Sequence, residues 1–236
     1  MKRLISAVVV FFLSAVSFSP QKTKLWKTDE VENLQDRTVV IYSLMDEDTG
    51  IGSGVIISKK GLVLTAAHVV SHPDSKLLIV THNQRNYPCE IVGMDKWRDL
   101  ALLRITESAQ KFKYSKLQVS DLCGIGQEIL IIGHPNEFYW MVSIGTISRL
   151  HFMFSYFCMI AETTAYVNPG NSGGPVFNNE GEVIGIVTAM YVNILGVPRG
   201  IGIFIPIAEV HKFMRRMAPK LKRYKYPRPR LRLGDI

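Results

Sequence analysis

Short apolar runs separated by polar turns recur along most of the chain. The runs are rich in Val, Ile and Leu, and turns such as residues 59–61 contain Lys and Gly. Runs of this length and spacing are typical of the strands of a β-sandwich or a β-barrel. Strands are therefore predicted at residues 39–42, 54–58, 62–65, 77–81, 90–93 and 100–105, and again at 128–132, 140–148, 157–164, 175–177, 183–188 and 201–205.

Two stretches break this β pattern. Residues 106–121 are polar and poor in β-branched side chains, which predicts a linker between the two groups of strands. Residues 207–217 place Val210, Phe213 and Met217 on one face at helical spacing, which predicts a helix packed against the second group. The sequence thus predicts an all-β protein, with one large domain or two small barrels sharing a cleft, and a C-terminal helix.

The N-terminal end departs from this globular composition. Residues 4–18 are apolar except for three serines, and they follow a short basic start. This is typical of a secretory signal peptide, although a membrane anchor that is not cleaved stays an alternative. We assign residues 1–19 to a signal peptide or anchor and the polar residues 20–35 to a lead-in segment. The protein is then expected to be exported: periplasmic, secreted or anchored to the outer face of the membrane.

The net charge of the chain lies in its C-terminal end. Residues 215–236 contain nine Lys or Arg and one acidic residue, so this segment accounts for the whole net charge of +8. Like-charged segments that contain prolines are usually solvated. The alternative is contact with an anionic membrane or a cell-wall polymer, and no specific nucleic acid is predicted. We assign residues 218–236 to a basic tail.

Three stretches carry residues suited to nucleophilic catalysis. Ser172 lies in the glycine-rich segment 168–176, a composition that gives a tight exposed turn with free backbone N–H groups. His68 follows an apolar strand, and Asp99 stands at the mouth of another. A serine hydroxyl needs a base to take its proton, and that base needs a carboxylate to fix its tautomer. We therefore predict His68, Asp99 and Ser172 as catalytic residues.

These motifs resemble those of the trypsin-like serine endopeptidases, and among them the HtrA (DegP-like) family. The likeness rests on residues 52–57, 65–68, 99–103 and 168–175, and it extends from about residue 36 to about residue 213. It implies a chymotrypsin-type pair of six-stranded barrels in a protease domain spanning 36–217. It also implies acyl-enzyme catalysis, with an oxyanion hole formed by the backbone N–H groups of Gly170 and Ser172.

The chain also departs from the HtrA pattern. Thr164 stands where that family usually has an aspartate, and no room is expected after residue 217 for the PDZ domain that commonly follows. The positions that match the family's S1 pocket are uncharged, so an apolar P1 residue is predicted, and a small one if Tyr166 fills the pocket. Whether Tyr166 points inward is left open by the alternation of strand sides. The S1 candidates are Tyr166, Val167, Ile186, Val187 and Thr188.

The remaining predictions concern cofactors and partners. The spacing of the three cysteines matches no metal motif, no HExxH sequence occurs, and neither a cofactor nor a disulfide framework is predicted. The resemblance implies protein or peptide substrates, a role in protein quality control and a homotrimer, which is common in the family. A catalytically silent relative, acting as a polypeptide-binding or membrane-tethered scaffold, is the alternative function.

Overall fold

All twelve predicted strands are present in the computed structural model, which describes residues 25–45, 49–72, 74–106, 110–135 and 138–223. They form two closed antiparallel barrels of six strands, which confirms the predicted chymotrypsin-type fold. The first barrel has the order β1-β2-β3-β6-β5-β4, from β1 (Thr38–Leu44), β2 (Thr49–Ile56), β3 (Leu62–Ala66), β4 (Lys76–Thr81), β5 (Asn86–Asp95) and β6 (Leu100–Ile105). The second has the order β10-β11-β12-β9-β8-β7, from β7 (Glu128–Gly133), β8 (Met141–Met153), β9 (Cys158–Thr163), β10 (Pro175–Phe177), β11 (Val183–Val192) and β12 (Pro198–Pro206).

Several strands run further than the apolar pattern predicts. β8 continues to Met153, where it still pairs with Cys158 of β9. The added part of β8 is half-buried or exposed, so its side chains alternate less clearly between apolar and polar. The apolar runs therefore predict where a strand lies, whereas the backbone ladder extends beyond them.

Three apolar clusters explain why many strands are hydrophobic on both faces. Val39 and Ile41 of β1 point into the first barrel, whereas Val40 between them faces the interface between the barrels. The second barrel has a cluster of its own around Ile129 and Phe204. Because successive strand residues alternate between two buried faces, the runs are continuously apolar.

The C-terminal helix α2 spans Ile207–Arg223 and is longer than predicted. The predicted helix ends at residue 217, and Pro219 beyond it is unfavourable inside a helix. Met217 and Leu221 are nevertheless buried against the interface between the barrels, and this packing continues the helix past the proline. The segment predicted as tail thus begins as helix, and residues 224–236 lie outside the described residues.

The predicted lead-in also contains ordered structure. Helix α1 spans Thr28–Gln35 and buries Leu34 against the core. The Gln35 side-chain amide donates to the carbonyl of Trp140 at 2.9 Å, so α1 contacts the second barrel as well. The predicted signal peptide or anchor, residues 1–19, lies outside the described residues. Among the helices that are described, none combines the length and apolar character needed to span a membrane.

The three cysteines are all described, and none is paired. Burial raises the pKa of the Cys89 and Cys158 thiols to about 12. Within the described part of the chain, no group of three or more His, Cys, Asp and Glu side chains is arranged to hold a metal ion.

Candidate active site

The first barrel brings His68 and Asp99 together. His68 begins a single turn of 3-10 helix after β3, and Asp99 ends the turn between β5 and β6. Strands β3 and β6 are neighbours, and Ala66 pairs with Leu100, so the two turns lie at the same end of the barrel. As a result, Nδ1 of His68 lies 2.7 Å from Oδ2 of Asp99.

Asp99 is buried, and its surroundings fix its orientation. Its Oδ1 accepts the backbone N–H of His68 at 2.8 Å, and its carbonyl accepts the N–H of Ala67 at 3.0 Å. Its φ is +51°, a left-handed conformation that is unfavourable for residues other than glycine and persists where neighbouring contacts hold it. The side chain of Asp99 is 8% exposed and that of His68 is 49% exposed, so the imidazole is the accessible member of the pair.

The turn that carries Ser172 depends on two glycines. Gly170 and Gly173 have φ values of +98° and +85°. A Cβ at Gly170 would overlap the carbonyl oxygen of His134, and a Cβ at Gly173 would overlap the hydroxyl oxygen of Thr65. Both positions therefore require glycine for the backbone conformation and for the close approach of neighbouring atoms.

Ser53 of the first barrel forms two hydrogen bonds with the turn that carries Ser172, which belongs to the second barrel. Its hydroxyl donates to the carbonyl of Gly170 at 2.7 Å, and its N–H donates to the carbonyl of Ser172 at 2.8 Å. The hydroxyl of Thr65 in turn donates to the Ser53 carbonyl at 2.7 Å. Sequence reasoning gave neither residue a role. Ser53 lies between Gly52 and Gly54 in the segment 52–57, and this composition is the local sign of its position.

Thr188 of β11 links Asp99 to Ser172. Its hydroxyl donates to Oδ2 of Asp99, and its carbonyl accepts the Ser172 hydroxyl at 3.5 Å. Among the described residues, no hydrogen bond joins the His68 ring directly to Ser172. The three predicted catalytic residues thus lie in one site, with Thr188 between two of them. Thr188 is predicted to line the S1 pocket, whereas in the structure its side chain donates a hydrogen bond to Asp99.

The backbone around Ser172 leaves two amide donors available. Within the described residues, the N–H groups of Gly170 and Ser172 donate to no acceptor. Those of Asn171, Gly173 and Gly174 are bonded to carbonyls of the fold. Two free amides beside a nucleophile can bind the oxyanion of a tetrahedral intermediate.

The other predicted S1 residues do not form one surface. Ile186 and Val187 have no exposed surface, because β11 is buried on both faces, and Val167 is nearly buried. Ile186 and Val187 therefore offer no surface to a substrate in this structure, and the assignment of the S1 pocket stays a prediction. Tyr166 is 52% exposed, so it faces solvent and does not fill a pocket.

His134 is fully buried and packs against the turn that carries Ser172. Its carbonyl lies against Gly170, and its Nδ1 accepts the N–H of Trp140 at 3.0 Å. That bond requires an unprotonated Nδ1. Burial lowers the pKa of His134 to about 4, so the ring is neutral in the folded protein at neutral pH.

Stability is expected to fall on mild acidification because of His134. In the unfolded chain a histidine titrates near a pKa of ~6.5, so the unfolded state binds a proton in a range where the native ring stays neutral. We expect the free energy of unfolding to drop by about 2 kcal/mol between pH 7 and pH 5 through this group, measured by urea denaturation. His134→Gln keeps an acceptor for Trp140 and should lose about this part of the pH dependence. An identical pH dependence in both proteins would contradict the assignment.

Comparison with known proteins shows that the chain is similar to peptidases. Residues 52–186 match the model of the trypsin-like peptidase domain. The chain is 32% identical over 220 residues to "Protease Do-like 1, chloroplastic" of Arabidopsis thaliana, covering 84% of this chain and 50% of the relative. It is 38% identical over 160 residues to "Probable periplasmic serine endoprotease DegP-like" of Chlamydia trachomatis serovar D, covering 66% of this chain and 31% of the relative.

A solved structure has the same fold. The structure titled "HtrA-type protease AlgW with tripeptide" superposes with a TM-score of 0.70 at 28% identity. The match covers 79% of this chain and 63% of that chain. The chain spans half or less of the length of the two curated relatives named above.

Proposed function

The chain belongs to the trypsin-like peptidase family, and we propose that it is a serine endopeptidase that hydrolyses peptide bonds of protein substrates. The observation that carries the proposal is the distance of 2.7 Å between Nδ1 of His68 and Oδ2 of Asp99. Ser172 belongs to the same site, because Thr188 forms hydrogen bonds with both Asp99 and Ser172. A silent polypeptide-binding scaffold is not favoured, because binding alone needs neither a buried carboxylate behind a histidine nor free amides beside a serine.

In the proposed reaction, the Ser172 hydroxyl attacks the carbonyl carbon of the scissile bond. His68 takes the proton at Nε2, because its Nδ1 is bound to Asp99. The hydroxyl first turns from the Thr188 carbonyl towards His68, and it gives up only a weak bond of 3.5 Å. Asp99 keeps the imidazole in the tautomer that accepts this proton and stabilises the imidazolium that forms.

The tetrahedral intermediate places a negative charge on the former carbonyl oxygen. The amides of Gly170 and Ser172 are the proposed donors to this oxyanion, since neither has an acceptor among the described residues. The intermediate collapses, and His68 protonates the leaving amine. Water, activated by the same base, then hydrolyses the acyl group from Ser172.

For the P1 residue we propose an apolar side chain. The S1 candidates carry no charge that could pair with Arg or Lys. The Tyr166 hydroxyl accepts a hydrogen bond from the Asn168 side-chain amide at 2.6 Å. Because the Tyr166 side chain is exposed, we propose that it does not fill the S1 pocket. This removes the reason to restrict P1 to small residues.

The proposed function is tested by digestion of unfolded casein. We expect fragments to appear with the full chain, and we expect a fluorophosphonate inhibitor that reacts with activated serines to stop their formation. A metal chelator serves as the matched control and should leave digestion unchanged. Casein that stays intact, or digestion that continues after complete fluorophosphonate treatment, would contradict a serine endopeptidase.

The location of the protein is proposed from two independent features. The apolar segment at residues 4–18 follows a basic start, and the relative from Chlamydia trachomatis is described as periplasmic. We propose that the protein is exported and acts on unfolded polypeptides, in protein quality control, in that compartment. The basic tail would hold it near an anionic surface such as a membrane or a cell-wall polymer.

Deleting residues 224–236 is expected to weaken adsorption to anionic vesicles without changing turnover of a short soluble peptide. The segment contains four basic side chains and one acidic side chain, and screening by salt should reduce its effect. Vesicle co-sedimentation at low and high salt measures this. A tail of equal length with its Lys and Arg residues replaced by Gln should behave like the deletion. Equal co-sedimentation of all three forms at low salt would contradict a role for the tail charge.

A further inference from the structure

Asp99 lies at the end of a turn, and the contacts of its carboxylate with His68 and Thr188 do not by themselves fix the backbone of that turn. His68 and Thr188 bind the carboxylate of Asp99, but residues 96–98 connect it to β5. The left-handed φ of +51° at Asp99 makes its position sensitive to this turn. A small shift of the turn would move the carboxylate away from the imidazole.

A buried carboxylate at the start of the turn organises its backbone. Asp95, with a side chain 1% exposed, accepts the N–H groups of Trp97 at 3.1 Å and Arg98 at 3.3 Å. It also pairs with the Arg98 guanidinium at 3.0 Å. The residue directly before Asp99 is therefore bound to Asp95 through both its backbone and its side chain.

The same guanidinium reaches across to the C-terminal helix. Nε of Arg98 donates to Glu209 at 2.8 Å, and the Glu209 side chain is 2% exposed. Lys212 pairs with Glu209 at 2.7 Å, and Arg216 pairs with Asp95 at 2.5 Å. Burial alone would raise the pKa of Glu209, but the hydrogen bonds from Lys212 and Arg98 hold it below its usual value, so Glu209 stays charged.

Two buried carboxylates thus share one guanidinium that belongs to the catalytic turn. Loss of Arg98 would leave Asp95 with Arg216 alone and Glu209 with Lys212 alone, so the pairing of both buried carboxylates would weaken together. The casein reaction proposed above involves none of these three side chains directly. Arg98 is linked to the reacting groups through Asp99, its neighbour in the chain.

We propose that Arg98 is a positioning residue, and that its pairing with Asp95 and Glu209 makes helix α2 part of the support of the active site. Arg98 holds the turn so that the Asp99 carboxylate faces Nδ1 of His68. The inference rests on the proposed function, because it assigns a role within the same reaction.

The test compares Arg98→Met with Arg104→Met. Both substitutions keep an apolar stem and remove ionic contacts. Arg104 on β6 pairs with Glu90 at 2.6 Å, and its side chain is 30% exposed against 23% for Arg98, whereas Glu90 is more exposed than Asp95 and Glu209. We expect Arg98→Met to lower kcat on a short peptide by about tenfold to a hundredfold with KM little changed, as misplacement of a catalytic group does. Arg104→Met should stay within about twofold of the unchanged protein, because it adjoins no member of the site.

A double-substitution cycle separates positioning from general destabilisation. If Arg98 acts through Asp99, then Arg98→Met should slow fluorophosphonate labelling in the unchanged protein but change it less than about twofold in an Asp99→Asn background. If Arg98→Met does not fold, Glu209→Gln, which weakens one of the two pairs, takes its place in the same cycle.

Four results bear on the inference. Equal losses in the two backgrounds would overturn it, and so would native kcat in a folded Arg98→Met or Glu209→Gln protein. If the unchanged protein is not labelled at all, the proposed function itself fails, and the inference falls with it. Labelling of the unchanged protein with no effect of Arg98→Met would remove the inference alone.

Discussion

Replacing Ser172 with alanine is expected to abolish peptide-bond hydrolysis while leaving the fold intact. The hydroxyl is the proposed nucleophile, and loss of a triad serine lowers kcat by about a millionfold in comparable enzymes. The side chain makes one weak hydrogen bond, to the Thr188 carbonyl at 3.5 Å, so its removal costs little stability. Turnover of casein and of a short peptide measures activity, and thermal unfolding measures the fold.

Ser120→Ala is the matched control, since Ser120 is exposed in the predicted linker segment and lies outside the site. It should cleave casein at the rate of the unchanged protein. Cleavage by a folded Ser172→Ala protein above about one-thousandth of the normal rate would remove Ser172 from the role of nucleophile.

Replacing Asp99 with asparagine is expected to lower kcat by about ten-thousandfold, as in the trypsin case of the same substitution. The Asp99 carboxylate accepts hydrogen bonds from the His68 ring, the His68 backbone and the Thr188 hydroxyl. An amide has one oxygen for these donors, and its NH₂ group would favour the imidazole tautomer that cannot take the serine proton. Steady-state turnover of a short peptide at neutral pH measures the loss.

Asp74→Asn is the control for removing one negative charge, because Asp74 is exposed. Its turnover should stay near normal. If folded Asp99→Asn protein kept more than about a tenth of normal turnover, the pairing of His68 with Asp99 would be structural, and the proposed mechanism would be wrong.

The sequence predicted most of the fold because the strand signal is local. Each strand carries enough Val, Ile and Leu to be recognised without its neighbours. The helix end was missed for the opposite reason, because burial of Leu221 in a distant interface outweighs the local preference of Pro219. Helix α1 was missed because its sequence is polar, with Leu34 as its one buried residue.

The residues of the candidate site also fall into two groups: those that a local motif identifies and those that long-range contacts bring to the site. His68, Asp99 and Ser172 stand in short motifs whose composition is unusual, so each could be chosen locally. The roles of Ser53 and Thr188 arise from contacts over long sequence separations, such as the difference of 89 positions between Thr188 and Asp99. A single hydroxyl on a strand gives no local sign of the partner that it will meet. The S1 candidates depended on strand register and side, which the apolar runs of a doubly buried sheet do not reveal.

Covalent labelling of the folded chain by a fluorophosphonate, followed by peptide mapping, shows directly which serine is activated. An activated serine reacts with this probe, whereas ordinary serines do not. We expect one adduct, on the peptide that contains Ser172, and we expect it to disappear when the protein is denatured before labelling and in the Ser172→Ala variant. Folded protein that takes up no label, or that carries it on another serine, would contradict the claim that Ser172 is the nucleophile of a serine endopeptidase.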